Sequence, residues 1–253
     1  MQPARLFLLV AMLLAAWPAS ALQIRADRDD AEYLELATRY GACIPLAFEG
    51  EGVLVASRWV LTSARVATGL RALGKALPPV RFAGVEYEIH AIFSQGDIGL
   101  ILLRKPVTGI TPIFMYGPSD EAGKPVVFVA HGRGGKIGEK EAAPDRKARA
   151  AINTIDRVAA RSLALEVKGP DDASDLQGAL ASDEDGAPAI VETRDGLFVA
   201  GIAIGRERTS VGLVKTGDRD TYARVSTYIG WIESVMLDVG AKEAAKLMGS
   251  DSN

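Results

Sequence analysis

Short apolar runs, each closed by a turn signal, recur along this chain with little room for helix between them. Residues 52–56, 59–61, 98–103, 126–130, 163–167, 189–191, 197–204 and 210–214 are such runs, and 86–93 alternates apolar with polar. Runs of this length suit strands and are too short for buried helices. The 26 glycines and 12 prolines are spread along the sequence and supply the turns. Many strands at short spacing predict an all-β fold, a barrel or a sandwich.

Helix is expected only near the two ends. In 27–40, Tyr33, Leu36, Ala37 and Tyr40 recur at i, i+3, i+4 and i+7, and Asp29 or Asp30 is placed to cap the helix. Near the other end Tyr228, Trp231, Ile232, Val235, Met236 and Val239 make one helical face, with Ser226 as its expected cap. That helix should lie across the β core and bury Trp231. Residues 241–253 read as a frayed tail, and 132–146 and 168–175 as long surface loops.

The first 21 residues have the form of a cleavable export signal. Arg5 gives a positive start, 6–17 is an unbroken apolar run shorter than a membrane span, and Ala19-Ser20-Ala21 offers a cleavage site. The mature chain is expected to start at Leu22, in a secreted or periplasmic setting, with no stable membrane anchor after cleavage. The net charge of −3 and the absence of a basic stripe give no sign of nucleic-acid binding. The single cysteine, Cys43, has no internal disulfide partner and no basic neighbour in sequence, so it reads as a small buried hydrophobe.

One loop stands apart. Ser182-Asp183-Glu184-Asp185-Gly186-Ala187-Pro188 sets three acids before a Gly-Ala-Pro turn, and an apolar strand follows. It resembles the G-D-S-G-G-P nucleophile loop of the trypsin-like serine peptidases, with Asp185 where the serine belongs. Three further segments resemble that family in the same order. Arg58-Trp59-Val60-Leu61-Thr62-Ser63-Ala64-Arg65 is similar to R-W-V-L-T-A-A-H, 97–103 is similar to D-I-A-L-L-x-L, and 222–232 is similar to the family's Y-T-R-V-S-x-Y-x-x-W-I ending. The resemblance covers roughly 24–236. It implies two six-stranded antiparallel β-barrels with a cleft between them, besides the short N-terminal helix and the C-terminal helix. The chain then divides into a signal at 1–21, a peptidase-like domain at 22–240 whose halves split near 105–125, and the tail at 241–253.

The resemblance also implies which positions would carry the chemistry, and most of them are altered. The histidine position holds Arg65, and a guanidinium stays protonated and cannot act as a general base. The aspartate is kept as Asp97. The serine position, Asp185, has no hydroxyl. Asp183 and Asp185 occupy the oxyanion-hole positions, where a carboxylate about 4 Å from a developing oxyanion would oppose it by roughly 4 kcal/mol. Ala179 stands at the base of the specificity pocket. Ile204, Gly205 and Arg206 replace the substrate-pairing segment, with Arg206 either crowding the pocket or solvated. Glu184 falls at the position that receives the activated N-terminus. Ile24 lies where an activated chain begins, but Gln23 before it is no target for a trypsin-like activator. Glu184 is therefore expected to have no amine partner.

Neither His90 nor His131 occupies a motif position, and two histidines without ligand spacing do not make a zinc site. Residues 181–192 match part of a calcium loop, but Ala181 stands where the first acid belongs and Pro188 interrupts it. No metal and no cofactor is expected. The sequence thus predicts an exported, inactive peptidase homologue that binds a protein or peptide. A residual or altered hydrolase and a structural envelope protein are the rival readings. The charges at the three triad positions further predict that Arg65 bridges Asp97 and Asp185.

Overall fold

A computed structural model describes residues 22–250 except 49, 183, 211 and 212, with side chains as far as 246. The expected signal at 1–21 lies outside the described residues. The described residues are predominantly β with three α-helices, and one sheet curls into a half-barrel. This arrangement is compatible with a chymotrypsin-like fold.

A five-stranded antiparallel sheet runs in the order Cys43–Leu46, Gly50–Ala56, Trp59–Ser63, Ile98–Leu103, Ile89–Gln95. Ile98–Leu103 is an unbroken apolar run because it pairs on both sides and is buried on both faces; all six of its residues are buried. A hairpin of Val80–Phe82 and Val85–Tyr87 lies apart from it in pairing. The larger, eight-stranded sheet is built around Gly196–Glu207, flanked by Pro188–Thr193 and Arg219–Arg224. Among the described strands neither pairing path returns to its first strand, so what is seen is one half-barrel sheet and not two closed six-stranded barrels. A third, small sheet holds Leu22–Ile24 between Gly134–Lys136 and Gly178–Ala179. Part of the expected 132–146 loop is thus a strand, while Ser210 and Leu213, inside the expected strand at 210–214, make isolated bridges only.

Helix α1 (Asp30–Ala37) is capped by Asp29, whose carboxylate accepts from Ala31 N at 3.1 Å. It is fixed to the larger sheet by Arg149, only 1% exposed, which donates to Asp30 (2.5 and 2.7 Å) and Asp145 (2.9 Å). Helix α2 (Ala64–Ala72) was not expected from the sequence. Ser63 Oγ caps it by accepting from Val66 N (3.2 Å), and it buries Val66, Ala67 and Leu70. Helix α3 (Ile229–Ser250) runs ten residues past the expected end at 240, and Glu243 in that extension takes a bidentate contact from Arg58 (2.8 and 3.0 Å). Ser226 does not serve as a cap; its hydroxyl donates to Glu121 (2.8 Å). Trp231 is half-buried, and Ile232 is the fully buried residue of that face.

Two large apolar cores result, with a small third cluster of Val167, Ala179 and Val214. One fills the smaller sheet and reaches Ile190, Ile202 and Ile232; the other lies within the larger sheet around Phe128, Leu163, Leu165 and Tyr222. Cys43 belongs to the first, and burial pushes its thiol far above the ordinary range, which makes it unreactive.

Candidate functional site

The two sheets meet at the residues that the sequence singled out. The strand Trp59–Ser63 runs straight into α2, so the cap at Ser63 sets Arg65 in the helix's first turn. The turn ahead of Ile98–Leu103 is pinned to the same place, because Ala64 N donates to Asp97 O at 2.8 Å. From the other sheet, the loop ahead of Pro188–Thr193 brings Asp185 against the first: Glu51 N donates to Asp185 O at 2.8 Å. Gly186 makes that approach possible. Its φ is +94°, and a Cβ there would stand 2.1 Å from Glu51 O and 2.6 Å from Thr62 Oγ1.

Arg65 and Asp185 form an ion pair through Arg65 Nε, as expected from their charges. The third partner differs from the expectation. Asp97 pairs elsewhere: its carboxylate accepts from the Tyr228 hydroxyl at 3.1 Å, and Arg161 lies 3.9 Å from it. Arg161 also donates to that hydroxyl (2.6 Å), which completes a separate cluster. The second cation on Asp185 is Arg206, whose Nη1 is 3.3 Å from Oδ1 and whose Nη2 donates to Ser182 O at 2.6 Å. Arg206 therefore folds back onto the loop that bears Ser182 and Asp185 and does not extend into solvent. Asp185 is 9% exposed and is held by guanidinium groups from both sheets; Arg65 is 57% exposed.

Ala179, in the strand Gly178–Ala179, is fully buried, and next to it Leu180 N donates to Asp220 (2.8 Å). Asp220 is buried and ion-paired with Arg208. Burial raises its carboxyl pKa, with the Arg208 charge acting the other way. Ile204 and Gly205 lie on Gly196–Glu207, where the register shifts between Ala203 and Gly205. The region behind the specificity position is thus filled by a buried Asp–Arg pair that no motif announced. Asp183, the other oxyanion-hole position, lies outside the described residues.

Glu184 has backbone N–H partners, and the Leu22 nitrogen among them is a peptide amide, not the amine of a free N-terminus. Glu184 is fully buried, Oε1 accepts from Leu22 N at 2.9 Å, and Oε2 accepts from Ala181 N at 2.7 Å. The nitrogen belongs to Leu22, two residues ahead of Ile24, because the strand Leu22–Ile24 is drawn fully inside the small sheet. Burial drives the Glu184 carboxyl well above its ordinary range.

Sequence reasoning set His131 aside, yet it sits beside this site. It follows the strand Pro125–Ala130, its backbone N donates to Glu51 Oε1 (2.6 Å), and its Nδ1 donates to Oε2 (2.8 Å). Glu51 is 2% exposed and comes from the opposite sheet. The two residues are 80 apart in sequence, so no local pattern could have signalled the pair. His90 lies on Ile89–Gln95 and is exposed. Among the described residues no group of three or more His, Cys, Asp or Glu is placed to hold a metal.

The three family triad positions thus hold a guanidinium and two carboxylates, with no hydroxyl and no imidazole among them. Asp185 is neutralised by two cations and Asp97 is bound by a phenol. No family model matches the chain, and no curated protein matches it either.

Proposed function

We propose that this protein is an exported, catalytically degenerate relative of the trypsin-like serine peptidases, built on that family's two-barrel plan, and that it acts by binding a protein or peptide in the cleft between its two sheets. The observation that carries this reading is the Arg65–Asp185 pair. Two residues 120 apart, one from each sheet, meet where the family's base and nucleophile would meet, and the turn bearing Asp97 abuts them. The charges that replace the triad satisfy each other and leave nothing to attack a carbonyl. The altered-hydrolase reading would need Asp97 or Asp185 as the reactive group. Both carboxylates are already engaged, by Tyr228 and by two arginines.

The test has two arms. A fluorophosphonate label and a broad peptide-substrate panel on the purified protein should both give no signal, and inhibitor-sensitive turnover would sink the reading. A pull-down from an extracytoplasmic extract should then recover a partner that an excess of its own cleft-binding peptide releases. Failure to recover any partner would favour the structural-protein reading.

A further inference from the structure

Beside the Arg65–Asp185 pair lies a cavity of about 520 Å³. That is within the roughly 300–1,000 Å³ typical of small-molecule sites. Its floor is shared with the cleft, because Gly50 and Glu51 line it and Glu51 N is bonded to Asp185 O. Its walls are apolar: Leu46, Phe48, Leu70 and Val80, stiffened by Pro78 and Pro79. Phe48 is held at φ +61°, a left-handed conformation that costs a bulky residue about 1–2 kcal/mol. Even so, the ring is 47% exposed, laid against Gly69 of α2, where a Cβ would come within 3.1 Å of it. An aromatic side chain kept exposed at a strained position, on the lip of an apolar cavity, calls for an apolar occupant.

The polar end of the cavity is cationic. Arg81 and Arg146 line it with His131. Arg81 is matched by Glu86 outside, whereas Arg146 has no ion-pair or hydrogen-bond partner among the described residues. The His131 ring is fixed through Nδ1 by Glu51, and its Nε2 has no partner among the described residues. A histidine held through Nδ1 keeps its second ring nitrogen for a ligand, and the Arg146 fork offers further donors. The Glu51 carboxylate, 2% exposed, has both oxygens engaged by His131 and so offers little to a ligand. A cationic ligand would meet the Arg81 and Arg146 guanidinium groups here, and a neutral apolar one would leave the Arg146 and His131 donors unused.

We infer that this cavity binds an apolar molecule ending in a carboxylate, its body against Leu46, Phe48 and Leu70 and its charge on His131 and Arg146. Such a group is supplied either by a small apolar acid or by the C-terminal residue of a peptide. The inference goes beyond the peptide-cleft reading and stands or falls separately from it.

The experiment is calorimetric titration of the purified protein with 4-phenylbutyrate and with its neutral amide, and with Gly-Ala-Phe bearing a free or an amidated C-terminus. At least one of the two acids should bind, and its amide should bind at least about tenfold more weakly, the worth of a charge-assisted hydrogen bond. Binding by the small acid alone or by the peptide acid alone identifies the source, and either supports the site. Arg146→Gln, at an exposed side chain whose loss leaves the fold intact, should weaken the acid about tenfold, and His131→Gln by a similar factor. The site is wrong if neither acid binds, if acid and amide bind alike, or if Arg146→Gln leaves the affinity unchanged.

Discussion

At the scale of single residues, the site rests on one buried carboxylate shared by two guanidinium groups. Arg65 is mostly exposed, and Arg206 remains on Asp185 when Arg65 is removed. Arg65→Ala alone should therefore cost only about 1 kcal/mol or less, as exposed pairs do. Arg206→Ala should cost about the same, for the converse reason. The double variant strands Asp185 at 9% exposure and should lose roughly 3 kcal/mol, more than the two single losses together. Urea denaturation of the four proteins measures this cycle, and strictly additive losses would show that Asp185 has another source of support. Asp185→Ser should not take up a fluorophosphonate, because Arg65 cannot accept the serine proton; labelling would point to His131 as an unexpected base. The positions in this cluster were legible because motifs carry fixed spacing, and opposite charge made the Arg65–Asp185 pair legible too. The failure at Asp97 has a plain cause. Tyr228 was counted as part of an apolar helix face, whereas its hydroxyl does the pairing. Phenols have both characters, and periodicity reads only one of them.

At the scale of elements, the strands that the sequence disclosed are those buried on both faces, such as Ile98–Leu103 and Pro125–Ala130. Strands that depend on a neighbour for their form did not show: Gly134–Lys136 has almost no side chain to signal with, and Leu22–Ile24 was read as the start of a chain. Helix α2 was hidden inside a motif, its apolar Val66, Ala67 and Leu70 following a strand without a break. Helix α3 outran its apolar face because Ala241, Ala244 and Ala245 favour helix without any periodicity, and the Lys242–Asp238 and Arg58–Glu243 pairs support the extension. The element on which the site most depends is the 184–188 turn. Gly186→Ala would combine a positive φ with a Cβ 2.1 Å from the Glu51 carbonyl, a backbone atom that cannot swing aside. A loss of roughly 3 kcal/mol is expected from strain and overpacking together. A melting temperature unchanged by this substitution would mean that the turn does not hold the two sheets in register.

At the scale of the whole molecule, the N-terminal strand would tie the site to any cleavage ahead of Leu22. Glu184 is fully buried with two backbone N–H donors, and burial raises its carboxyl well above the ordinary range. Asp220 is raised by burial as well, and the phenol of nearby Tyr222 is pushed up for the same reason. The folded state therefore holds the Glu184 proton more tightly than the unfolded chain does. Its stabilising contribution is complete below the ordinary carboxylate range and is lost as pH rises through the raised folded pKa. This applies while the Leu22 nitrogen is an amide within a longer chain. Cleavage after Ala21 would turn it into an ammonium group beside Oε1, which favours the charged carboxylate and removes the penalty. A protein beginning at Leu22 should thus melt higher at pH 7 than one carrying Ala21, and the gap should shrink as pH falls toward the carboxylate range. Asp220 is common to both forms and cancels from the difference. Glu184→Gln should abolish the gap, since a neutral amide gains nothing from an ammonium neighbour. Thermal melts of the two forms from pH 5 to pH 8, each with and without Glu184→Gln, measure it. Superimposable curves for the two unsubstituted forms would show that the N-terminus and Glu184 are not coupled.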